Sequence, residues 1–280
     1  MLTINKPSFF VEEILETCIS SFRESNPLKE KLNQCKEKIV LEENTYNELC
    51  GEKKFHVYPE VESIISILDS KEMAKIYDEK LVGGAARYFY DRLKLSVVDE
   101  KCPFCGQKNI KEIDHFLPKE KYATLALTPI NLIPICKDCN FIKKSHVPST
   151  YEEILFNPYF DDFNEEKWLV ASISKSLPVR VKFKVNEDST INENDRKRIE
   201  TTFNLLDLGQ IYRIEANTEI GNMKFSWKRV YASKGSEALH QRLLEDAESR
   251  KEYRKNSWQT ALYEALSTSP WFYNELIKNL

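Results

Sequence analysis

Glycine is scarce in this chain, at 7 of 280 residues, which sets aside a collagen-like or low-complexity protein. The opening stretch, Met1-Leu-Thr-Ile-Asn-Lys-Pro-Ser8, lacks a basic region followed by an apolar run, so no signal peptide is expected. No apolar stretch of about 18 residues occurs, so no membrane span or membrane partner is expected, and the expected location is the cytoplasm. An excess of positive charge is also missing. A net charge of -3 argues against a protein that coats nucleic acid by charge alone. No internal repeat and no linker stands out, so the chain reads as one body.

What is present is ordinary globular composition, 41% hydrophobic and 30% charged, rich in the helix formers Leu, Glu, Lys and Ala. The expected fold class is α+β and helix-rich. Residues 1–98 form the first region. In it Phe10, Ile14, Cys18 and Phe22 recur every fourth residue, an apolar helical stripe. Asn26-Pro27 reads as a helix start, continued by Leu28, Leu32, Cys35 and Ile39. Asp69-x-x-Glu72 has the spacing of a capping box. Gly83-Gly84 predicts a break or a close approach before the stripe of Ala86, Phe89, Tyr90 and Leu93.

The last region, 151–280, begins with mixed structure. Trp168–Ile173 reads as a strand, and Val179, Val181, Phe183 and Val185 alternate with Arg180, Lys182 and Lys184. That basic face reads first as an edge strand protected by lysines, with a DNA-backbone contact as the alternative. Asn194 is the expected cap of a helix carrying Ile199, Phe203 and Leu206 and ended by Gly209. A further helix over Ile211–Trp227, a charged segment from Leu239, a stripe from Trp258 and a last helix at Ser269-Pro270 follow.

The chemistry lies between, in residues 99–150. Four of the seven cysteines fall in two CxxC pairs, Cys102/Cys105 and Cys136/Cys139. Without a secretion signal such pairs favour metal over disulfides, and two of them complete a tetrahedron around Zn²⁺. Four thiolates leave no open position, so this zinc is expected to be structural. That also argues against a zinc-dependent hydrolase of some other substrate. Cys18, Cys35 and Cys50 read as buried thiols. Between the pairs lies Asp114-His115, a hard oxygen ligand beside an imidazole able to take a proton from water. Asn140 follows Cys139 directly, so a zinc knuckle would fix it. Its amide oxygen is then a second candidate ligand, although Asn near a helix start is also a cap. Asn131 lies in an apolar run, needs hydrogen-bond partners, and could orient His115. From Lys101 to Val147 eight lysines face four acidic residues, a local excess suited to phosphates.

These residues resemble the HNH nuclease family. Cys102-Pro-Phe-Cys105, Ile113-Asp-His-Phe-Leu-Pro-Lys119, Asn131-Leu-Ile-Pro-Ile-Cys136 and Cys139-Asn-Phe-Ile-Lys143-Lys144 match its zinc-containing branch over about 45 residues. The resemblance implies a ββα-metal core of two strands and a helix, with His115 as general base and Asn131 positioning it. It implies a catalytic Mg²⁺ or Mn²⁺ on Asp114 and Asn140, and products ending in 5′-phosphate and 3′-hydroxyl. His146 rivals Asn140 as the last metal-site residue. Lys119, Lys121, Lys143 and Lys144 are candidate phosphate contacts, with solvated surface lysine the plainer reading. The substrate implied is nucleic acid, DNA favoured over RNA. More weakly, the flanks resemble bacterial anti-phage HNH proteins such as the Septu nuclease subunit, which implies a defence role with an ATPase partner subunit. The alternative is a non-catalytic zinc module binding nucleic acid or protein.

Overall fold

A computed structural model describes residues 1–97 and 99–278. The chain divides into two units, Met1–Asp161 and Asp162–Leu280.

The first unit begins with α1 (Val11–Ser20) and α2 (Pro27–Gly51), packed against each other. Asn26 caps α2 by accepting from Leu28 N at 2.9 Å, with Pro27 in the first turn. The expected stripe residues Ile14, Cys18, Leu32, Cys35 and Ile39 have no exposed surface and enter one apolar core. Cys50, at the end of α2, is equally buried. A small hairpin, β1 (Ser63–Ile64) and β2 (Leu68–Asp69), leads into α3 (Ser70–Ile76). Asp69 and Glu72 form the reciprocal capping box at its start.

A π-helical turn over Tyr77–Val82 follows, and the chain breaks at Gly83-Gly84. There a Cβ on Gly84 would lie 2.2 Å from Glu79 O, so only glycine permits the approach. Gly84→Ala is expected to lower stability by about 1–3 kcal/mol, read by urea denaturation. An unchanged midpoint would show that the turn yields without cost. Next, α4 (Arg87–Lys94) buries Phe89, Tyr90 and Leu93 and lies against the antiparallel pair β3 (Glu112–His115) and β4 (Leu132–Ile135). The pairing register sets Asp114 opposite Ile133 and His115 opposite Leu132. Helix α5 (Lys137–Lys143) completes the strand, strand, helix order.

The second unit holds the hairpin β5 (Leu169–Ile173) and β6 (Val181–Val185), then α6 (Glu193–Leu205) and α7 (Leu208–Tyr253). Val181, Phe183 and Val185 point inward while Lys182 and Lys184 face solvent, the expected alternation. Asn192, rather than the expected Asn194, caps α6 by accepting from Asp195 N. Gly209 does not end α6. The break falls at Asp207, which is left-handed, and Gly209 opens α7. The segments expected as separate helices run through α7, with a kink at Gly235, whose φ of 80° suits glycine. The unit closes with α8 (Trp258–Ser267) and α9 (Pro270–Asn274), the latter capped by Ser269. No helix among the described residues is long and apolar enough to cross a membrane.

Candidate active site

Cys102 and Cys105 bracket a tight turn closed by Gly106 N donating to Cys102 O at 2.7 Å. Cys136 ends the approach from β4 and caps α5, accepting from Cys139 N at 3.4 Å. The four sulfurs are buried and lie within 4.8 Å of one another, with Cys105 and Cys136 at 4.0 Å. A tetrahedron built on Zn–S bonds of about 2.3 Å has edges of roughly 3.8 Å. The cluster therefore has the size and donor set to hold zinc.

Period-two alternation along β3 sends Glu112 and Asp114 to one face and Ile113 and His115 to the other. On the first face the strand meets α5, whose Asn140 and Lys143 are one turn apart. Asn140 Nδ2 donates to Glu112 Oε2 at 2.7 Å. The Lys143 ammonium lies 2.7 Å from Asp114 Oδ2 and donates to His115 O at 2.9 Å. Lys143 is 3% exposed, so it is a buried ion-pair partner rather than the surface phosphate contact it resembled. Asp114 Oδ2 is buried, and although it sits within ion-pair reach of Lys143 it completes no hydrogen bond of good geometry. Burial raises the carboxyl above the usual carboxylate range, opposed by Lys143.

His115 is buried against the ring of Tyr77, with centroids 4.6 Å apart. Its Nε2 lies 2.9 Å from Ala126 O. A carbonyl only accepts, so Nε2 carries the hydrogen of the neutral ring and Nδ1 keeps its lone pair. Burial, then the Lys119 charge, push the imidazole down to about 3 against the pull of Ala126. The ring is therefore neutral near pH 7. Lys119 and Lys143 act electrostatically on both Asp114 and His115, although the two side chains leave the strand on opposite faces.

Asn131 does not bond His115. Its Oδ1 accepts from Tyr46 Oη at 3.0 Å and Leu117 N at 2.9 Å, and its Nδ2 donates to Leu117 O and Leu125 O. Fully buried, it ties the loop between β3 and β4 to α2. That loop contains Ala126, so Asn131 reaches His115 only through the carbonyl it helps to place. Asn131→Ala would take one partner from each of Tyr46 Oη, Leu117 N, Leu117 O and Leu125 O, of which Leu125 O keeps Thr128 N. We expect a loss of about 3 kcal/mol, measured by chemical denaturation. A loss below about 1 kcal/mol would mean that water replaces the amide.

His146 lies beyond α5, where its Nε2 is 2.8 Å from Glu153 O. It joins no side chain of the Asp114–Asn140 group. Lys144 is exposed, with a φ of 50°, and Phe141 beside Asn140 is 78% exposed. Lys119 is half-buried, and Lys121 pairs with Glu60 at 2.8 Å. Sequence reasoning missed Glu112, although period two from Asp114 would have found it. Nothing in the sequence marks Tyr77 and Tyr46, which arrive from distant segments, or Ala126 in the loop between β3 and β4.

Comparison with known proteins bears on this arrangement. The HNH endonuclease family model matches residues 102–146. Protein ea31 of Escherichia phage lambda is 30% identical over 227 residues, covering 75% of this chain and 76% of that protein. Septu protein PtuB of Bacillus thuringiensis is 27% identical over 164 residues, covering 52% of this chain and 63% of PtuB, so the match spans less than two thirds of that relative. No solved structure matches significantly. The paired strands, the helix and the four-cysteine cluster of residues 102–146 form an HNH endonuclease domain, and the chain belongs to the family of phage lambda protein ea31.

Proposed function

We propose that this chain is a metal-dependent endonuclease that hydrolyses nucleic-acid phosphodiester bonds, DNA in preference to RNA. The observation that carries the reading is the packing of β3 on α5, bridged by Asn140–Glu112 and Lys143–Asp114, beside the four-cysteine cluster. Asp114 Oδ2 is buried and lies 2.7 Å from the Lys143 ammonium, so a divalent ion bound there would share this carboxylate with Lys143. Asn140 gives its Nδ2 to Glu112, which turns its Oδ1 away from that carboxylate. Two hard oxygens on adjacent elements suit Mg²⁺ or Mn²⁺, and these residues would hold the ion. When bound, it supplies Lewis-acid stabilisation of negative charge on the phosphate.

The protein's own groups supply the rest. His115 Nδ1 takes the proton of the attacking water, with Ala126 O fixing the tautomer. The low basicity of the buried ring rises when an anionic phosphate lies beside it, so the base strengthens as substrate arrives. Lys119 offers a cation to that phosphate. The cysteine cluster, holding structural zinc, anchors the start of α5 and hence Asn140. A non-catalytic zinc module needs the cysteines but gives no reason for a neutral histidine beside a buried carboxylate.

We further read the protein as cytoplasmic and as acting in phage defence with an ATPase partner. Support for this comes from the resemblance to anti-phage HNH proteins and from the identity with Septu protein PtuB. Incubation with plasmid, linear duplex and RNA in Mg²⁺ or Mn²⁺ tests the core of the proposal. Cutting of DNA is expected, and an intact set of substrates under every condition would refute it.

A further inference from the structure

One open groove in the second unit belongs to nothing described so far. It has a volume of about 840 Å³ and is lined by the turn before β6 and one face of α7. Leu177, Pro178 and Val179 form one wall, while Ile220 and Gly221 lie on the helix side. A Cβ on Gly221 would meet nothing within 4 Å, so this position faces open space.

The charged lining is of one sign. Arg180, Arg213 and Lys224 border the groove, and no Asp or Glu lines it. None of these three cations forms an ion pair among the described residues, and Arg180 and Arg213 are exposed. The neighbouring acid Glu219 faces elsewhere, accepting from Tyr263 and pairing with Arg250. Arg213 and Lys224 share a helix face and stand about 16 Å apart along its axis. That separation spans several phosphates of one strand.

We propose that this groove binds the sugar-phosphate backbone and bases of a single-stranded nucleic acid. The inference rests on the proposed nuclease reading for its ligand class. Charge selects a polyanion. The apolar wall selects among polyanions, because a single strand exposes the flat apolar faces of its bases while a duplex buries them in its stack. An acidic peptide satisfies the cations but brings no series of such faces. Leu177, 62% exposed, adds apolar surface to the groove wall.

The test is fluorescence anisotropy of the full chain with a labelled oligo(dT) and a duplex of equal length. Buffer without Mg²⁺ or Mn²⁺ keeps both substrates uncut. The variant Arg213→Ala with Lys224→Ala removes two groove cations that have no ion-pair partner among the described residues, Lys224 also lying 5.0 Å from the Phe225 ring centroid. Arg229→Ala, on α7 but outside the groove, is the control. We expect the double variant to weaken oligo(dT) binding at least tenfold. The log–log salt slope should fall by about 1.4, at roughly 0.7 per lost single-strand phosphate contact. The control should bind like wild type.

Unchanged oligo(dT) binding by the double variant would overturn the proposal. Equal weakening for duplex would overturn the single-strand assignment. Poly-glutamate binding more tightly than oligo(dT) would replace nucleic acid by an acidic protein partner. Cleavage by wild type in Mn²⁺ is scored separately. Groove-dependent binding without cleavage would count against the nuclease reading alone, and cleavage without groove dependence would count against the groove alone.

Discussion

His115→Ala is expected to lower the cleavage rate by about 10²–10⁴-fold, the usual worth of a positioned general base. The substitution also has a structural cost, because His115 is buried and donates to Ala126 O. An orphaned acceptor and a small cavity cost about 1–3 kcal/mol. Assays well below the melting transition keep that cost from imitating lost chemistry. His115→Gln separates the two effects, since its amide can still donate to Ala126 but has no basic nitrogen. Both variants should retain wild-type zinc content and lose cleavage together. A Gln variant that cuts at the wild-type rate would remove His115 from the mechanism.

Cys136→Ser should have the largest effect on the fold of the nuclease core. Cys136 has two roles: its sulfur belongs to the four-cysteine cluster, and it caps α5. Serine is a good cap, so the substitution preserves the second role and removes only the soft ligand. Structural zinc contributes roughly 10–16 kcal/mol in isolated finger peptides, comparable with the whole stability of many domains. Loss of one thiolate should therefore reduce zinc below one per chain. The melting temperature should fall on the order of 10 °C, given about 2–4 °C per kcal/mol at this unit size. Metal analysis with calorimetry measures both. One zinc per chain with unchanged melting would refute the structural-zinc assignment.

The two substitutions probe different parts of the same short stretch, and they differ in how far the sequence exposed them. Helical periodicity and cap spacing are local, so α1, α2, α3 and α8 were legible from Ile14, Asn26, Asp69 and Trp258. The strand pair and the cysteine cluster were legible because the CxxC spacing and the HNH-like motif surround them. Contacts joining distant residues were not. Lys143 looks like a surface lysine until α5 folds onto β3 and places it against Asp114, 29 positions earlier. Asn131 was rightly expected to need partners, but Tyr46 comes from α2, 85 positions away. The Asn194 expectation missed by two because both asparagines suit a cap, and only the backbone decides that Asn192 stands outside the first turn. His146 lies so close in sequence to Asn140 that spacing alone left it a rival. The turn after α5 directs it to Glu153 O instead.

The central claim is that Asp114 and Asn140 hold a divalent ion whose presence is required for phosphodiester cleavage. Chelators alone test this poorly, because they also strip zinc from the cysteines. The most direct measurement is a Mn²⁺ titration of plasmid cleavage using zinc-loaded wild type and zinc-loaded Asp114→Asn. Wild type should cut only as Mn²⁺ is added. The variant, with zinc content intact, should need far more Mn²⁺ or fail to cut. Cleavage by zinc-loaded wild type without added divalent ion, or identical titrations for the two proteins, would contradict the account.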